Sequence, residues 1–551
     1  MKNIFNLLSY AIIILIITSC QITGKKEIFI RSNQHGYLPD DIKSAVILSN
    51  SDLTSMEYKI RDIKSNKISF KNKLNLSSGA YGKFSNVYYI DFSPLTAAGE
   101  YEIDIDGVTS YKFKIGDKLY QEVVDTLMQF FRVQRCGFTN PHFHDICHKS
   151  DAHYIIDGKD TIRTPIDLTG GWHDAGDYIK FLNTTAFTTY TLLFTYEFNP
   201  QKFNFDNDGN GIPDLLDEAK IGLDWMMRAN YEKYKFISQV QDMKDHDVGW
   251  RLPENDPLEY NRPAYVGNGK NIAGMYIAAM SIAYRIWNNV LNYPSFADKC
   301  LTSAENILSV INSFDNVDSS GSGVYWDKNY EGKLALGYVE YYEITQQTKY
   351  LDLAKEYASK IGSEYWWSYG DIAAYSHYKI ALRDTSYTKY IENNLAAFKN
   401  NLSAKTFNEA TEYSWGTNHT LLGAALQNIL WKRLTGRNDF DSVSVFQRDF
   451  VLGRNAWGVS FIEGIGTRFS RKFHHQVAKL NGKRLPGGFA AGPVKAEFLK
   501  NFDIKRDNYD PFVNFQTENA VYYDDWNDYI TNEPTIVGNA TAVFVMGNFK
   551  K

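Results

Sequence analysis

A β-sandwich followed by an α/α toroid is the architecture this sequence predicts, and three observations predict it. The chain has 551 residues, too many for one ordinary hydrophobic core, so a small domain beside a large one is expected. From Ile28 to Ile115 apolar residues alternate in short runs broken by turn residues. From Lys118 onward the period is helical, with no long Pro- or Ser-rich linker and no second strand-rich block.

Residues 1–19 stand apart from both domains. Lys2 precedes an apolar run from Ala11 to Ile17, too short for a membrane span and suited to a signal-peptide core. Ile17-Thr18-Ser19-Cys20 then resembles a bacterial lipobox, which makes Cys20 the acylated mature N-terminus. A plain secretory signal with an incidental cysteine is the alternative. On either reading the protein is exported, and on the first it is held to a membrane by lipid. A net charge of −5 without a basic block points away from nucleic acid. Aromatic residues make up 15% of the chain, which suits a large core and also suits a cleft where pyranose faces pack on flat rings.

The first domain, 27–115, rests on segments such as Ser44-Ala45-Val46-Ile47-Leu48, Val87-Tyr88-Tyr89-Ile90-Asp91-Phe92 and Tyr101-Glu102-Ile103-Asp104-Ile105. Turn signals such as Leu38-Pro39-Asp40 and Asp106-Gly107 separate them, as in a sandwich. In the second domain, 116–549, Leu119, Val123, Leu127, Phe130 and Phe131 open the helical pattern. Amphipathic segments follow from Ile212 to Met227, Ile272 to Trp287, Ala335 to Ile344, Tyr350 to Ile361, His419 to Leu434 and Pro534 to Met546. Helices joined by loops of variable length fit a toroid with its active site at the loop end.

One such loop is Gly170-Gly171-Trp172-His173-Asp174-Ala175-Gly176-Asp177-Tyr178. Two carboxylates three residues apart sit in a Gly-rich, aromatic-flanked stretch with no hydrophobic period, as expected of a shaped loop lining a cleft. A carboxylate pair on one loop can supply a general base, and a hydrolytic site also needs an acid to protonate the leaving group. Tyr522-Tyr523-Asp524-Asp525-Trp526-Asn527-Asp528-Tyr529-Ile530-Thr531-Asn532-Glu533-Pro534-Thr535, continuing to Asn539-Ala540, offers one.

Together these stretches resemble the two signatures of family 9 glycoside hydrolases, cellulases with an (α/α)6 barrel. Asn33-Gln34-His35-Gly36-Tyr37-Leu38-Pro39 and Ala98-Gly99-Glu100-Tyr101 resemble the immunoglobulin-like module that precedes the barrel in one branch. The resemblance implies Asp177 as general base, Asp174 as a holder of the attacking water, Glu533 as general acid and Asp524 as a supporting acid. It also implies inversion, which needs the Asp177 and Glu533 carboxyl groups roughly 6.5–9.5 Å apart. Glu533 lies just before an apolar helix, whose N-terminus favours the ionised form, so burial or a neighbouring charge such as Asp524 is expected to hold its proton.

A third signature departs from the family. Arg471-Lys472-Phe473-His474-His475-Gln476 has Phe473 where the family has Pro and Gln476 where it has Arg. By resemblance His474 contacts sugar hydroxyls, and Gln476 is expected to do so without charge. His246 and Trp250, in Asp245-His246-Asp247-Val248-Gly249-Trp250-Arg251-Leu252-Pro253-Glu254, resemble a subsite loop. Trp415 and either Trp366 or Trp367 are candidate stacking platforms, although each is of a type more often found in cores.

Cys136, Cys147, His148 and His173 are the ligand types of a tetrahedral structural zinc, and their context matches the zinc site of this branch. With four protein ligands such a metal has no catalytic position. A Cys136–Cys147 disulfide is the alternative. Asp206-Asn207-Asp208-Gly209-Asn210-Gly211, with Asp217 twelfth, resembles the start of a calcium loop. A turn leading into a Pro-started helix explains the same residues.

The sequence thus points to a monomeric, lipid-anchored, inverting endo-β-1,4-glucanase acting on cellulose, mixed-linkage glucan or xyloglucan. The alternatives are an exo-acting glycosidase on cello- or chito-oligosaccharides, and a non-catalytic glycan-binding lipoprotein.

Overall fold

The computed structural model describes residues 26–321, 327–482, 484–507 and 509–550, so the leader and Cys20 lie outside it. Strands between Ile28 and Ile115 form two sheets. One holds Ile28–Ser32, Ser44–Ser49 and Asn86–Asp91; the other is built round Gly99–Ile105 and Glu57–Asp62. Alternation explains why Ser44–Ser49 is buried throughout. Ala45 and Ile47, facing Ile90 and Tyr88 across the ladder, enter the sandwich core. Val46, Leu48 and Val87 point the other way and join the core of the helical domain.

The turn after the first strand completes that joint. The backbone N–H of Gln34 donates to Leu452 O (2.9 Å), and its amide accepts from Thr467 N and Arg468 N. Arg31 donates to Ala456 O (2.9 Å) and Asn33 to Asp449 (2.8 Å). The sandwich therefore packs on the barrel, as expected.

Six helices follow one another round a closed ring: Leu182–Phe198, Lys270–Asn289, Glu331–Thr345, Ala373–Ala381, Thr417–Thr435 and Ile536–Asn548, the last packing on the first. An outer layer consists of Tyr120–Gln134, Asp214–Ala229, Pro294–Val310, Thr348–Ile361, Thr388–Ala404 and Asp441–Val451. The chain is an (α/α)6 barrel behind a sandwich. The outer helix Thr348–Ile361 is two-faced, whereas every residue from Ile536 to Gly547 is buried. The expectation of amphipathic helices thus fails for much of the inner ring, whose members meet an outer helix on one side and the barrel axis on the other.

The expectation of no second strand-rich block also fails. Lys180–Phe181, Lys235–Val240, Pro263–Gly267, Tyr154–Asp157 and Asp160–Ile162 form a sheet from excursions between helices. Each strand is short and most are separated by long stretches of sequence, so no local period marks them. This sheet brings the segment after Asp177 beside the segment before Asp245.

Candidate active site

The glycines of the base loop serve two different ends. Gly170 and Gly171 take left-handed angles (φ 82° and 71°), which other residues resist. Gly176 does not; there the constraint is space, since a Cβ would lie 2.2 Å from His474 O. The loop closes on itself through Asp174 N to Ile179 O (3.0 Å) and Ile179 N to Asp177 Oδ1 (2.9 Å). Gln134, at the end of the first barrel helix, donates to the carbonyls of His173 (3.0 Å) and Ala175 (2.6 Å). Sequence reasoning missed that brace, because Gln134 lies in an ordinary helical pattern.

Glu533 reaches this loop from the other end of the barrel domain. Its Oε1 accepts from Gly176 N at 3.2 Å, and Asp174 O accepts from Ile536 N at 3.0 Å. The inner helix begins at Ile536 with Thr535 as its cap, so Glu533 lies outside the first turn. Burial, followed by repulsion from Asp177, pushes its carboxyl well above the usual range. Burial outweighs the helix terminus. Asp174 is also buried, its carboxyl is pushed up to about 7, and its Oδ1 has no hydrogen-bond partner. Asp174 and Glu533 line a cavity of about 230 Å³ with Trp366, Tyr369 and Trp415.

Asp524 does not fill the expected role. Its Oδ1 accepts from Arg471 N (2.9 Å), Lys472 N (2.7 Å) and Asn532 Nδ2 (3.3 Å), so it fixes the segment leading to His474. The charges that raise Glu533 are those of Asp177 and Asp174.

His246 donates from Nε2 to Asp177 Oδ2 at 3.0 Å, and that carboxylate raises the imidazole above its ordinary value. His474 donates from Nδ1 to Trp526 O (2.7 Å), and burial lowers its ring to about 4. A neutral ring so oriented leaves Nε2 as an acceptor for a hydroxyl. Trp250 stands edge-to-face with His474, centroids 5.0 Å apart, and Tyr529 flanks the same ring at 5.7 Å. Trp366 is half-buried at the cavity, whereas Trp367 is buried and donates to His419 (3.1 Å) as a core residue. Trp415 is 40% exposed and packs against Phe502 and Tyr529.

Gln476 departs from expectation. Its Oε1 accepts from Arg251 N (2.9 Å) while its own N–H donates to Gly176 O (3.2 Å). It is buried and ties the subsite loop to the base loop, so that acceptor is already engaged within the protein.

One residue before Asp174, His173 belongs to a different cluster. Cys136, Cys147, His148 and His173 are all buried, and their donor atoms lie within 4.8 Å of one another. The sulfurs are 4.0 Å apart and both cysteines are free, which excludes the disulfide alternative. Further separations are Cys136 Sγ to His148 Nδ1 3.6 Å, Cys147 Sγ to His173 Nε2 3.9 Å, and His173 Nε2 to His148 Nδ1 3.1 Å. A tetrahedral zinc sets such donors about 3.3–3.8 Å apart, and these separations scatter closely about that range, so the residues fit. Asp256 Oδ2 stands 3.1 Å behind His148 Nε2, as a carboxylate does behind a metal-bound imidazole.

The candidate calcium loop is arranged otherwise than expected. Asp214, not Asp217, joins Asp206 and Asp208. Asp217 Oδ2 accepts from Asn210 Nδ2 (2.6 Å), and Asp206 accepts from the N–H groups of Gly209, Asn210 and Gly211. These bonds make a self-satisfied exposed turn before a helix.

The family model for "Glycosyl hydrolase family 9" matches residues 120–546, and that for "Cellulase N-terminal ig-like domain" matches residues 25–110. The chain is 24% identical to Endoglucanase D of Acetivibrio thermocellus over 94% of its own length and 83% of the relative's. It is 23% identical to a cellodextrinase of Butyrivibrio fibrisolvens, over 93% of this chain and 98% of that one. It is 24% identical to a xyloglucan-specific endo-β-1,4-glucanase of Bacteroides ovatus, over 93% and 92%. Among solved structures, a metagenome-derived family 9 endoglucanase superposes with a TM-score of 0.81 at 26% identity, over 95% of this chain and 99% of that one. The chain belongs to glycosyl hydrolase family 9.

Proposed function

We propose that this family 9 hydrolase is an inverting endo-β-1,4-glucanase, with Glu533 as general acid, Asp177 as general base and Asp174 holding the attacking water. The observation that carries the reading is that buried Glu533 is held against the base loop, its Oε1 accepting from the N–H of Gly176, the residue before Asp177. Glu533 is buried and holds its proton, so it is suited to protonate a glycosidic oxygen. Asp177 is held in place by Ile179 N and His246. Asp174 presents a buried oxygen without a hydrogen-bond partner, an acceptor suited to the attacking water. The aromatic rings of Trp250, Trp366 and Trp415 and the acceptor on His474 suit pyranose faces and hydroxyls.

Two measurements test this together. Reducing-sugar release from cellulose, mixed-linkage glucan and xyloglucan, with product sizing, separates endo from exo action. NMR of the first product should show the α-anomer; a β-anomer would mean retention and remove Asp177 from its role.

We assign the Cys136, Cys147, His148 and His173 cluster to zinc, which when bound supplies a structural cross-link and no position for water or sugar. Elemental analysis should find about one zinc per chain. At the other end of the sequence, the lipobox-like Ile17-Thr18-Ser19-Cys20 supports an exported protein anchored through Cys20. Release of the Cys20→Ala protein from the membrane fraction is the outcome expected.

A further inference from the structure

A chain of buried charges leads from the metal cluster to both loops of the cleft. It starts at His148, whose Nδ1 faces the other donors and whose Nε2 meets Asp256 Oδ2 at 3.1 Å. Asp256 Oδ1 accepts from Arg251 Nε at 2.8 Å, and Arg251 Nη2 donates to Asp245 Oδ1 at 2.6 Å. Asp245 Oδ2 accepts from the N–H of Tyr178, the residue after Asp177, at 3.2 Å. Arg251 also holds its own loop, donating from Nη1 to the carbonyls of Asp245 (3.2 Å) and Gly249 (3.1 Å). Its guanidinium lies over the Tyr178 ring, 5.0 Å from the centroid. Arg262 closes the circuit, donating to Tyr178 O (2.8 Å) and lying 3.5 Å from Asp256.

We propose that Arg251 and Asp256 are positioning residues that set the His246–Trp250 loop and the Asp177 loop in register with the metal centre. The proposal rests on the assignment of the cluster as a metal centre. Arg251 contacts none of the four donors, yet its fork joins two carboxylates, one behind a metal ligand and one behind the peptide after the base. A planar guanidinium can span both at once; an ammonium cannot. The His246–Trp250 loop therefore takes its place from a group on the far side of the base loop. A buried ion network that served stability alone would alter melting without coupling metal retention to substrate binding.

The experiment uses the full-length protein as purified, with Asp256→Asn, Arg251→Met and Arg251→Lys beside the wild type. Zinc per chain, the rate of zinc release to a chromogenic chelator, and kcat and KM on a soluble β-glucan are measured for each. Asp256→Asn should hold zinc about 10- to 100-fold more weakly. Arg251→Met should release zinc faster and raise KM about tenfold, since positioning errors of about 1 Å carry penalties of that order or larger. Arg251→Lys keeps the charge and guards against a variant that fails to fold; it should lose less melting temperature than Arg251→Met while retaining both defects. Wild-type protein without metal would sink the metal assignment and the coupling with it. Metal-bearing wild type, with zinc release and KM unchanged in folded Arg251→Lys, would overturn the coupling alone.

Discussion

His173 and Asp174 are neighbours in sequence and belong to opposite kinds of site. On the His173 side four donors meet one another within 4.0 Å along the contacts that join them, with Asp256 behind, and all are buried. On the Asp174 side a buried carboxyl keeps an oxygen without a partner, and burial pushes the Glu533 carboxyl well above its usual range. Stability is concentrated in the first cluster, and polar groups are left unsatisfied in the second. Buried polar groups left without a partner cost free energy, and active sites keep them for chemistry. Two sites separated by one peptide bond but unlike in chemistry should respond differently to substitution, and that is how the contrast is tested.

The largest effect expected is from Asp177→Asn, which should stop hydrolysis even of aryl glycosides, because the water stays unactivated. Glu533→Gln should nearly abolish turnover of unactivated glucans, by about 10²- to 10⁴-fold, while sparing aryl glycosides with good leaving groups and retaining binding. Equal losses on both substrates in the two variants would blur the acid and base roles. On the other side of the peptide bond, Cys147→Ser should lower Tm by on the order of 5–10 °C, with active-site titration largely unchanged in molecules that remain folded. Activity lost on chelation without loss of fold, and restored by zinc, would move the metal into the chemistry.

Glu533→Gln also has a stability signature of opposite sign. An unfolded glutamate ionises near pH 4.3, and the folded one does so at higher pH, so ionisation on unfolding erodes wild-type stability as pH rises through that window. The variant lacks this loss and should melt a few °C above wild type at pH 7, and at the same temperature at pH 3. A lower Tm at pH 7 would mean that Glu533 is not held protonated. The smallest effect is at the rim. Trp250→Ala should raise KM about fivefold through lost stacking, with kcat little altered.

Much of this was legible in the sequence where function depends on local pattern. The strands of the sandwich, the helical period after Lys118 and the loops carrying Asp177 and Glu533 could be read because each is contiguous. The Cys136, Cys147, His148 and His173 set was legible from residue type and resemblance, although its spacing matched no short motif. What could not be read was pairwise. Asp524 has the composition of an active-site acid, yet its partners are backbone N–H groups some fifty residues upstream. Gln476 looked like a hydroxyl ligand and is instead a tie between two loops. Arg251 and Asp256 sit in a loop with no period, and their importance arises only when His148, more than a hundred residues away, arrives beside them. The loop-end sheet was missed for the same reason, since its strands are short and scattered.

The close approach at Gly176 limits how this enzyme can be redesigned. Its hydrogen fills the only space between the base loop and His474 O, its N–H touches Glu533 and its carbonyl receives Gln476. Any side chain there must displace the His474–His475 backbone, and Gly171 is similarly blocked by Trp225. A mutational library over 170–178 should therefore return mostly inactive clones, however gentle the replacements. Altered substrate preference is better sought at Trp250, Trp366 and Trp415, where side chains border the cleft or solvent and a change of shape need not move the chain that carries the carboxylates.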